Sequence, residues 1–338
     1  MTSQKKPPSN LPGEFEVIRR YFLPLAAPYP ASLFLQDDAA LLSVDKAARL
    51  VITADALVAD VHFFAGDRPD FIARKALRVN ISDLAAKGAE PIGYFMTIAL
   101  PSNISEAWIN HFAKGLFQDQ QEFGIGLLGG DTVSTPGPLT ISITAIGQLP
   151  KSAIQMPQRR HARPGDLLLM TGTLGDAALG LKLLQKTLTL ESEDFYQFLT
   201  QRYWIPQPRL SLGRKLVENN LVHAMMDISD GLLGDLQHIC KASGVGAIVR
   251  SNLIPFSPAT SLLCQQKPDL LETVLTGGDD YELLLSIPKE TLPLIKEIAQ
   301  QEQILLNVIG EITAGKNIEV FDLLNKNYPI AVKGFQHF

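Results

Sequence analysis

A chain of 338 residues has room for two ordinary domains, each with its own core. Hydrophobic residues at 46% and charged residues at 19% place it among globular proteins, and a net charge of −5 argues against a nucleic-acid or anionic-membrane surface as its main partner. Two cysteines, Cys240 and Cys264, make neither a Cys-x-x-Cys pair nor a disulfide framework, as expected of a reducing, cytoplasmic setting, and no apolar run reaches the ~18 residues that cross a bilayer.

Residues 1–12 carry Lys5, Lys6 and three prolines with no apolar segment behind them, and read as a disordered lead-in rather than a signal peptide. Strand-like runs follow at Ser32–Val44, Leu50–Ala54, Gly93–Leu100 and Leu139–Gln148. In the last, Leu139, Ile141, Ile143 and Ala145 alternate as in a half-buried strand. Two helices separate these runs. Asp70–Gly88 opens on an acid and stops at Gly88 with Pro91 beyond; Ser105–Phe123 opens on Ser105 with Glu106 in its first turn and ends before Gly124. Residues 13–148 thus form an N-terminal domain, and the polar, proline-bearing stretch 149–165 reads as a linker. In the C-terminal domain, 166–338, strands are expected at Leu167–Thr171, Val245–Arg250, Tyr281–Ile287, Asn307–Ile312 and Ile318–Asp322. Helices are expected there at Asp176–Gln185, Arg209–Glu218, Leu232–Ser243 and Lys289–Gln301. Strands and helices mix in both halves, so each is α/β or α+β.

The placement of the carboxylates is the informative feature. Glu106, Glu191, Glu193 and Glu297 fit solvated helix faces. Another set sits at strand ends and turns beside Gly or small apolar residues: Asp37-Asp38-Ala39-Ala40, Ala54-Asp55, Gly129-Gly130-Asp131-Thr132, Asp227-Ile228-Ser229-Asp230-Gly231 and Gly277-Gly278-Asp279-Asp280. Asp83 joins them, lying in an apolar helical stretch with Val79, Ile81, Leu84 and Ala85. Carboxylates in apolar surroundings repel one another unless a cation lies between them. Magnesium takes oxygen ligands together with substrate phosphates, and adjacent glycines let the backbone approach a phosphate. One Gly-Asp pair reads as a turn; five such motifs read as a metal and polyphosphate site. No Gly-x-x-x-x-Gly-Lys-Ser/Thr loop and no protein-kinase catalytic loop occurs. Gly124, Gly126 and Gly129 match a dinucleotide fingerprint in letters only, because they follow a helix and precede no helix. Six histidines without zinc-ligand spacing exclude a zinc hydrolase.

Taken in order, Gly-Glu-Phe (13–15), Asp-Asp-Ala-Ala (37–40), residues 54–63, residues 75–89, Leu-Gly-Gly-Asp-Thr (128–132), Arg-Pro-Gly-Asp (163–166), Thr-Gly-Thr-Leu-Gly-Asp (171–176), Asp-Ile-Ser-Asp-Gly-Leu (227–232), Gly-Gly-Asp-Asp-Tyr-Glu-Leu (277–283) and Lys-Gly-Phe-x-His-Phe (333–338) resemble the thiamine-monophosphate kinase family. The family belongs with the aminoimidazole-ribonucleotide synthetase and selenophosphate synthetase superfamily. The resemblance implies a two-domain α/β fold: an N-terminal ATP- and metal-binding domain that makes a homodimer through its sheet, and a larger C-terminal α/β domain. It implies ATP and thiamine monophosphate as partners, with several Mg²⁺ ions, and neither nucleic acid nor membrane. By motif, Asp38, Thr53, Asp55, Asp83, Asp131, Asp227 and Asp230 fall at metal-ligand positions, Gly130, Asp131, Arg159 and Ser229 at ATP-binding positions, and His62, Asp279 and Val332 at substrate-binding positions. Ala54, Asp279 and Val332 stand where relatives often carry Thr, Glu and Trp. Asn80, Asp83 and Lys87 share a helical face, and Lys75 and Lys87 read as solvated rather than catalytic. No residue is assigned as covalent nucleophile or general base, because a phosphate acceptor is already anionic and phosphoryl transfer needs positioning and charge neutralisation. The rival readings are another ATP-dependent enzyme of the superfamily, such as selenophosphate synthetase, whose reactive N-terminal Cys has no counterpart before Cys240, and a non-catalytic nucleotide-binding regulator.

Overall fold

The computed structural model of the chain describes residues 11–37, 39–322 and 324. They form two units: one runs to Leu84 and resumes over Pro91–Gln148, the other holds Ala85–Glu90 and the chain from Leu149 onward.

In the first unit, residues 14–26 make one helical run that is π-helical over Ile18–Phe22. The strand expected at Ser32–Val44 is absent. Pro30–Leu35 is a 3₁₀ turn with Leu33, Phe34 and Leu35 in left-handed backbone (φ 49°, 56° and 52°), and no strand occurs among the described residues up to Arg49. Pro30 removes a ladder donor, and three successive apolar residues do not supply the period-two pattern a strand needs. Strand β1 (Leu50–Val58) leads to helix α1 (Pro69–Ala86), β2 (Glu90–Leu100), helix α2 (Glu106–Phe123), β3 (Gly126–Ser134) and β4 (Thr140–Gln148). The strands form one sheet in the order β1-β4-β2-β3, with β1/β4 antiparallel and β2/β3 parallel. Ser105 caps α2 by accepting the Trp108 N–H, and left-handed Gly124 ends it. Strand β3 was not expected, because its glycines lower strand propensity; pairing with β2 supplies the ladder that local sequence does not. Helices α1 and α2 approach closely: a Cβ on Gly115 would meet the Asp70 carbonyl, and fully buried Arg78 pairs with fully buried Asp119 at 2.8 Å.

The second unit contains β5 (Leu167–Thr171), α3 (Asp176–Leu184), α4 (Glu193–Trp204), α5 (Leu210–Glu218), β6 (Ala224–Asp227), α6 (Leu232–Ser243), β7 (Gly246–Arg250), α7 (Pro258–Gln266), α8 (Leu270–Thr276), β8 (Leu283–Ile287), α9 (Leu292–Gln301), β9 (Leu306–Thr313) and β10 (Ile318–Phe321). Its six strands order as β10-β7-β9-β5-β8-β6; β10/β7 run parallel and the remaining pairs antiparallel. Strand β8, paired on both sides, is buried at every residue, so it lacks the apolar-polar alternation of a half-exposed strand. Leu168, Met170, Leu179, Leu232, Leu236 and Ile239 belong to the core that joins the sheet to its helices. Cys240 lies in that core, where burial pushes its thiol up to about 11, and Cys264 is half-buried with its thiol shifted the same way. No described helix is long and apolar enough to cross a membrane.

Candidate functional site

In the first unit, the pleat of β1 puts Val51, Thr53, Asp55 and Leu57 on one side and leaves Ile52 on the other, 62% exposed. Thr53 Oγ1 donates to Asp83 Oδ2, tying β1 to α1. The turn after β1 carries His62, whose Nδ1 accepts the Val58 N–H at 3.0 Å. Lys75, read from sequence as solvated, is buried and donates its Nζ to the His62 carbonyl at 3.0 Å, so it fixes that turn. Asn80 is fully buried, with its amide on the Ala76 carbonyl and its Oδ1 without a hydrogen-bond partner.

Gly130 and Asp131 sit on β3, at the opposite edge of the sheet from Thr53 and Asp55, with β4 and β2 between them. The first unit therefore groups Thr53, Asp55, Asp83 and His62 along one edge and leaves Asp131 on the other. Gly130 has a packing reason of its own: a Cβ there would lie 1.8 Å from the Met96 carbonyl oxygen. Asp131 is exposed and accepts the Thr132 N–H at 2.8 Å. Asp38 and Val332 lie outside the described residues.

In the second unit, Asp227 ends β6, and Ile228–Gly231 turn into α6. Asp235, in the first turn of α6, accepts the Asp230 N–H at 2.9 Å and holds this loop. Sequence reasoning passed over Asp235, because an acid in the first turn of a helix looks like an ordinary dipole partner. It is buried, and desolvation, followed by the charge of Asp227, pushes its carboxyl well above the usual carboxylate range, while Arg159 acts the other way. Ligand atoms of Asp230, Asp235 and exposed His238 lie within 4.8 Å of one another. A donor set dominated by crowded carboxylate oxygens fits a hard cation such as magnesium. Lys87, half-buried, donates to the Met225 carbonyl at 2.9 Å and so braces β6 two residues before Asp227.

The segment 277–282 lies directly against that loop. The Asp279 N–H donates to the Ser229 carbonyl at 2.9 Å, and the Tyr281 N–H to the Ile228 carbonyl at 2.8 Å. A Cβ on Gly278 would meet the Ser229 carbonyl at 2.2 Å, so glycine is what permits the approach. Ser229 and Asp279, which the family resemblance leads one to expect at a nucleotide and a substrate position, thus lie side by side.

Asp280, grouped with Asp279 and Tyr281 by sequence, is instead fully buried. Its Oδ2 accepts the Gly175 N–H at 2.7 Å and its Oδ1 the Ala177 N–H at 3.2 Å. Burial, with the charge of Asp176 beside it, pushes its carboxyl up to about 8 against the Gly175 and Ala177 N–H bonds and Arg202. A carboxyl raised in the folded state stabilises fully below its unfolded value and loses that contribution as pH climbs through the folded one. The melting temperature of Asp280→Asn relative to wild type should therefore rise between about pH 4 and 8 and level off above. Parallel pH dependences of the two proteins would contradict this account.

Residues 36–149 match the family model of AIR synthase related protein, N-terminal domain, and residues 163–322 that of AIR synthase related protein, C-terminal domain. The thiamine-monophosphate kinase of Caulobacter vibrioides is 40% identical over 315 residues, spanning 92% of this chain and 87% of its own. The crystal structure of thiamine-monophosphate kinase from Stenotrophomonas maltophilia K279a is similar with a TM-score of 0.77 at 38% identity, covering 85% of this chain and 89% of that one. AaThiL complexed with AMPPCP and TMP gives a TM-score of 0.75 at 29% identity, with 89% and 91% covered. On the two domain matches and this near-full-length identity, the chain belongs to the thiamine-monophosphate kinase family, with the two-domain α/β fold of AIR synthase related proteins.

Proposed function

We propose that the chain transfers the γ-phosphoryl group of ATP to the phosphate of thiamine monophosphate, giving ADP and thiamine diphosphate, in the cytoplasm. The observation that carries this reading is the backbone pairing of Ser229 with Asp279 in one pair of loops, two residues to which the family motifs would give nucleotide and substrate contacts. Similarity to AaThiL complexed with AMPPCP and TMP supports it. Thr53, Asp55, Asp83 and Asp131 of the first unit, with Asp38 by motif, and Asp227 and Asp230 of the second would hold magnesium. When bound, magnesium neutralises phosphate charge and so lowers the repulsion between donor and acceptor. Arg159, Ser229 and Gly130 would bind the nucleotide, and His62, Asp279 and Val332 the thiamine monophosphate. An oxygen of the acceptor phosphate forms the new P–O bond in line as the bond to the ADP oxygen breaks. That oxygen is anionic near neutral pH, so no side chain has to remove a proton first.

A coupled assay for ADP tests the reading. Thiamine monophosphate should be phosphorylated at least ~100-fold better than free thiamine, whose neutral hydroxyl is not a ready-made anion. Free thiamine as the better acceptor would overturn it.

We also propose a homodimer formed through the first unit's sheet. Ile52 and Val133, at 62% and 42% exposure, leave apolar surface on its two edge strands. Light scattering at micromolar concentration should give twice the 37.0 kDa chain mass; the single-chain mass would count against it.

A further inference from the structure

We propose that Asp280 is a positioning residue for this reaction: it caps α3 with its side chain and thereby locks the 277–282 segment, so that Asp279 meets the acceptor in one orientation. The inference rests on the reading of Asp279 as a contact to thiamine monophosphate.

Asp279 and Tyr281, the neighbours of Asp280 on either side, both adopt left-handed backbone, at φ 72° and 51°. Non-glycine residues hold such conformations only where the surroundings over-determine them, and such sites cluster where function needs pre-organisation. Two sets of bonds do this here. On one side, the Asp279 and Tyr281 N–H groups reach Ser229 and Ile228. On the other, the Asp280 carboxyl accepts two N–H groups at the start of α3. The N-cap of that helix is Gly175, in left-handed backbone and with no side chain to cap the orphan donors, so Asp280 supplies the cap from more than a hundred residues away. Asp176 does not serve this purpose. Its carboxylate accepts the hydroxyls of Thr173, Ser257 and Thr260.

Both oxygens of Asp280 act as acceptors. Asparagine keeps the shape, yet in either amide orientation it sets an NH₂ donor against a backbone N–H. The strain released falls first on the covalent neighbour Asp279. The 227–231 loop keeps the Ile228 N–H to Glu282 carbonyl bond and the Asp230 N–H to Asp235 bond, so nucleotide binding is less affected.

Steady-state kinetics of Asp280→Asn at about pH 9, where the carboxyl is ionised, with the two substrates varied separately, test the proposal. Misplacement of a positioning group is expected to raise KM for thiamine monophosphate roughly tenfold or more, with kcat and KM for ATP within about threefold of wild type. Ala177→Pro is the second variant. It deletes one of the two donors, in the first turn of α3 where the N–H has no partner within the helix, and should raise the same KM by about threefold. Should Asp280→Asn not fold, Ala177→Pro alone decides. An unchanged KM for thiamine monophosphate, or equal losses in kcat and both KM values, overturns the positioning role. Wild-type protein inactive on thiamine monophosphate overturns the proposed function and this inference together, whereas active wild type with unchanged variants overturns the inference alone.

Discussion

Asp83→Asn is expected to lower turnover by roughly 10²–10³-fold and to leave the melting temperature almost where it was. Asp83 lies on α1 between Ile81 and Leu84, both fully buried, and is itself half-buried. Its Oδ2 accepts the Thr53 hydroxyl. Asparagine preserves volume and an oxygen for Thr53, so the tie between α1 and β1 survives. What disappears is a negative charge at a position proposed to hold magnesium beside transferring phosphate. Groups that stabilise developing charge in a desolvated site are costly to lose in rate and cheap to lose in fold stability. Turnover with saturating ATP, Mg²⁺ and thiamine monophosphate, measured beside a thermal melt, checks both halves. Turnover near wild type would remove Asp83 from the metal set. A collapse of the melt would make it a structural acid instead.

Glu282→Ala should produce the largest loss of stability, on the order of 3–5 kcal/mol, which corresponds to a fall in melting temperature of roughly 10 °C. Glu282 is completely buried and accepts from Arg202 Nη2 at 2.8 Å, Arg209 Nε at 2.6 Å and Thr171 Oγ1 at 2.7 Å. Burial alone would raise its carboxyl, but the charges and hydrogen bonds of Arg209 and Arg202, with the Thr171 hydroxyl, hold it below the usual carboxylate range. Alanine strands two largely buried guanidinium groups and a hydroxyl, and a buried charge without its partner is far more costly than the intact pair is stabilising. The Thr171 hydroxyl also accepts the Leu283 N–H, so the loss spreads into the pairing of β5 and β8. A melt within ~2 °C of wild type would show that water or a neighbouring acid takes over the arginines.

These two acids show where sequence reading stops. Asp83 announces itself, since an acid among Val79, Ile81, Leu84 and Ala85 on a helix contradicts the pattern around it. Glu282, at the start of an apolar strand, looks like a strand-end residue facing water, and nothing local names its partners. They are Thr171, Arg202 and Arg209, at least 73 residues away along the chain.

The elements divide the same way. The caps of α2 and the alternation of β4 are written in neighbouring residues, because capping and pleat are short-range effects. Strand β6, Ala224–Asp227, is four fully buried residues without alternation, and becomes a strand only through its antiparallel pairing with β8. Strand β3, rich in glycine, likewise depends on β2.

By itself, then, the sequence determined where acids meet glycine-bearing turns, and with that the metal and phosphate chemistry to expect, because turn geometry and ligand type are properties of a few adjacent residues. Which of two neighbouring acids faces outward was decided by the tertiary structure. Asp279 and Asp280 are indistinguishable as letters in Gly-Gly-Asp-Asp-Tyr-Glu-Leu, yet the amides of Gly175 and Ala177 draw one carboxyl into the core, and left-handed backbone at residue 279 leaves the other partly exposed beside Ser229. Both effects come from chain segments that only folding brings together.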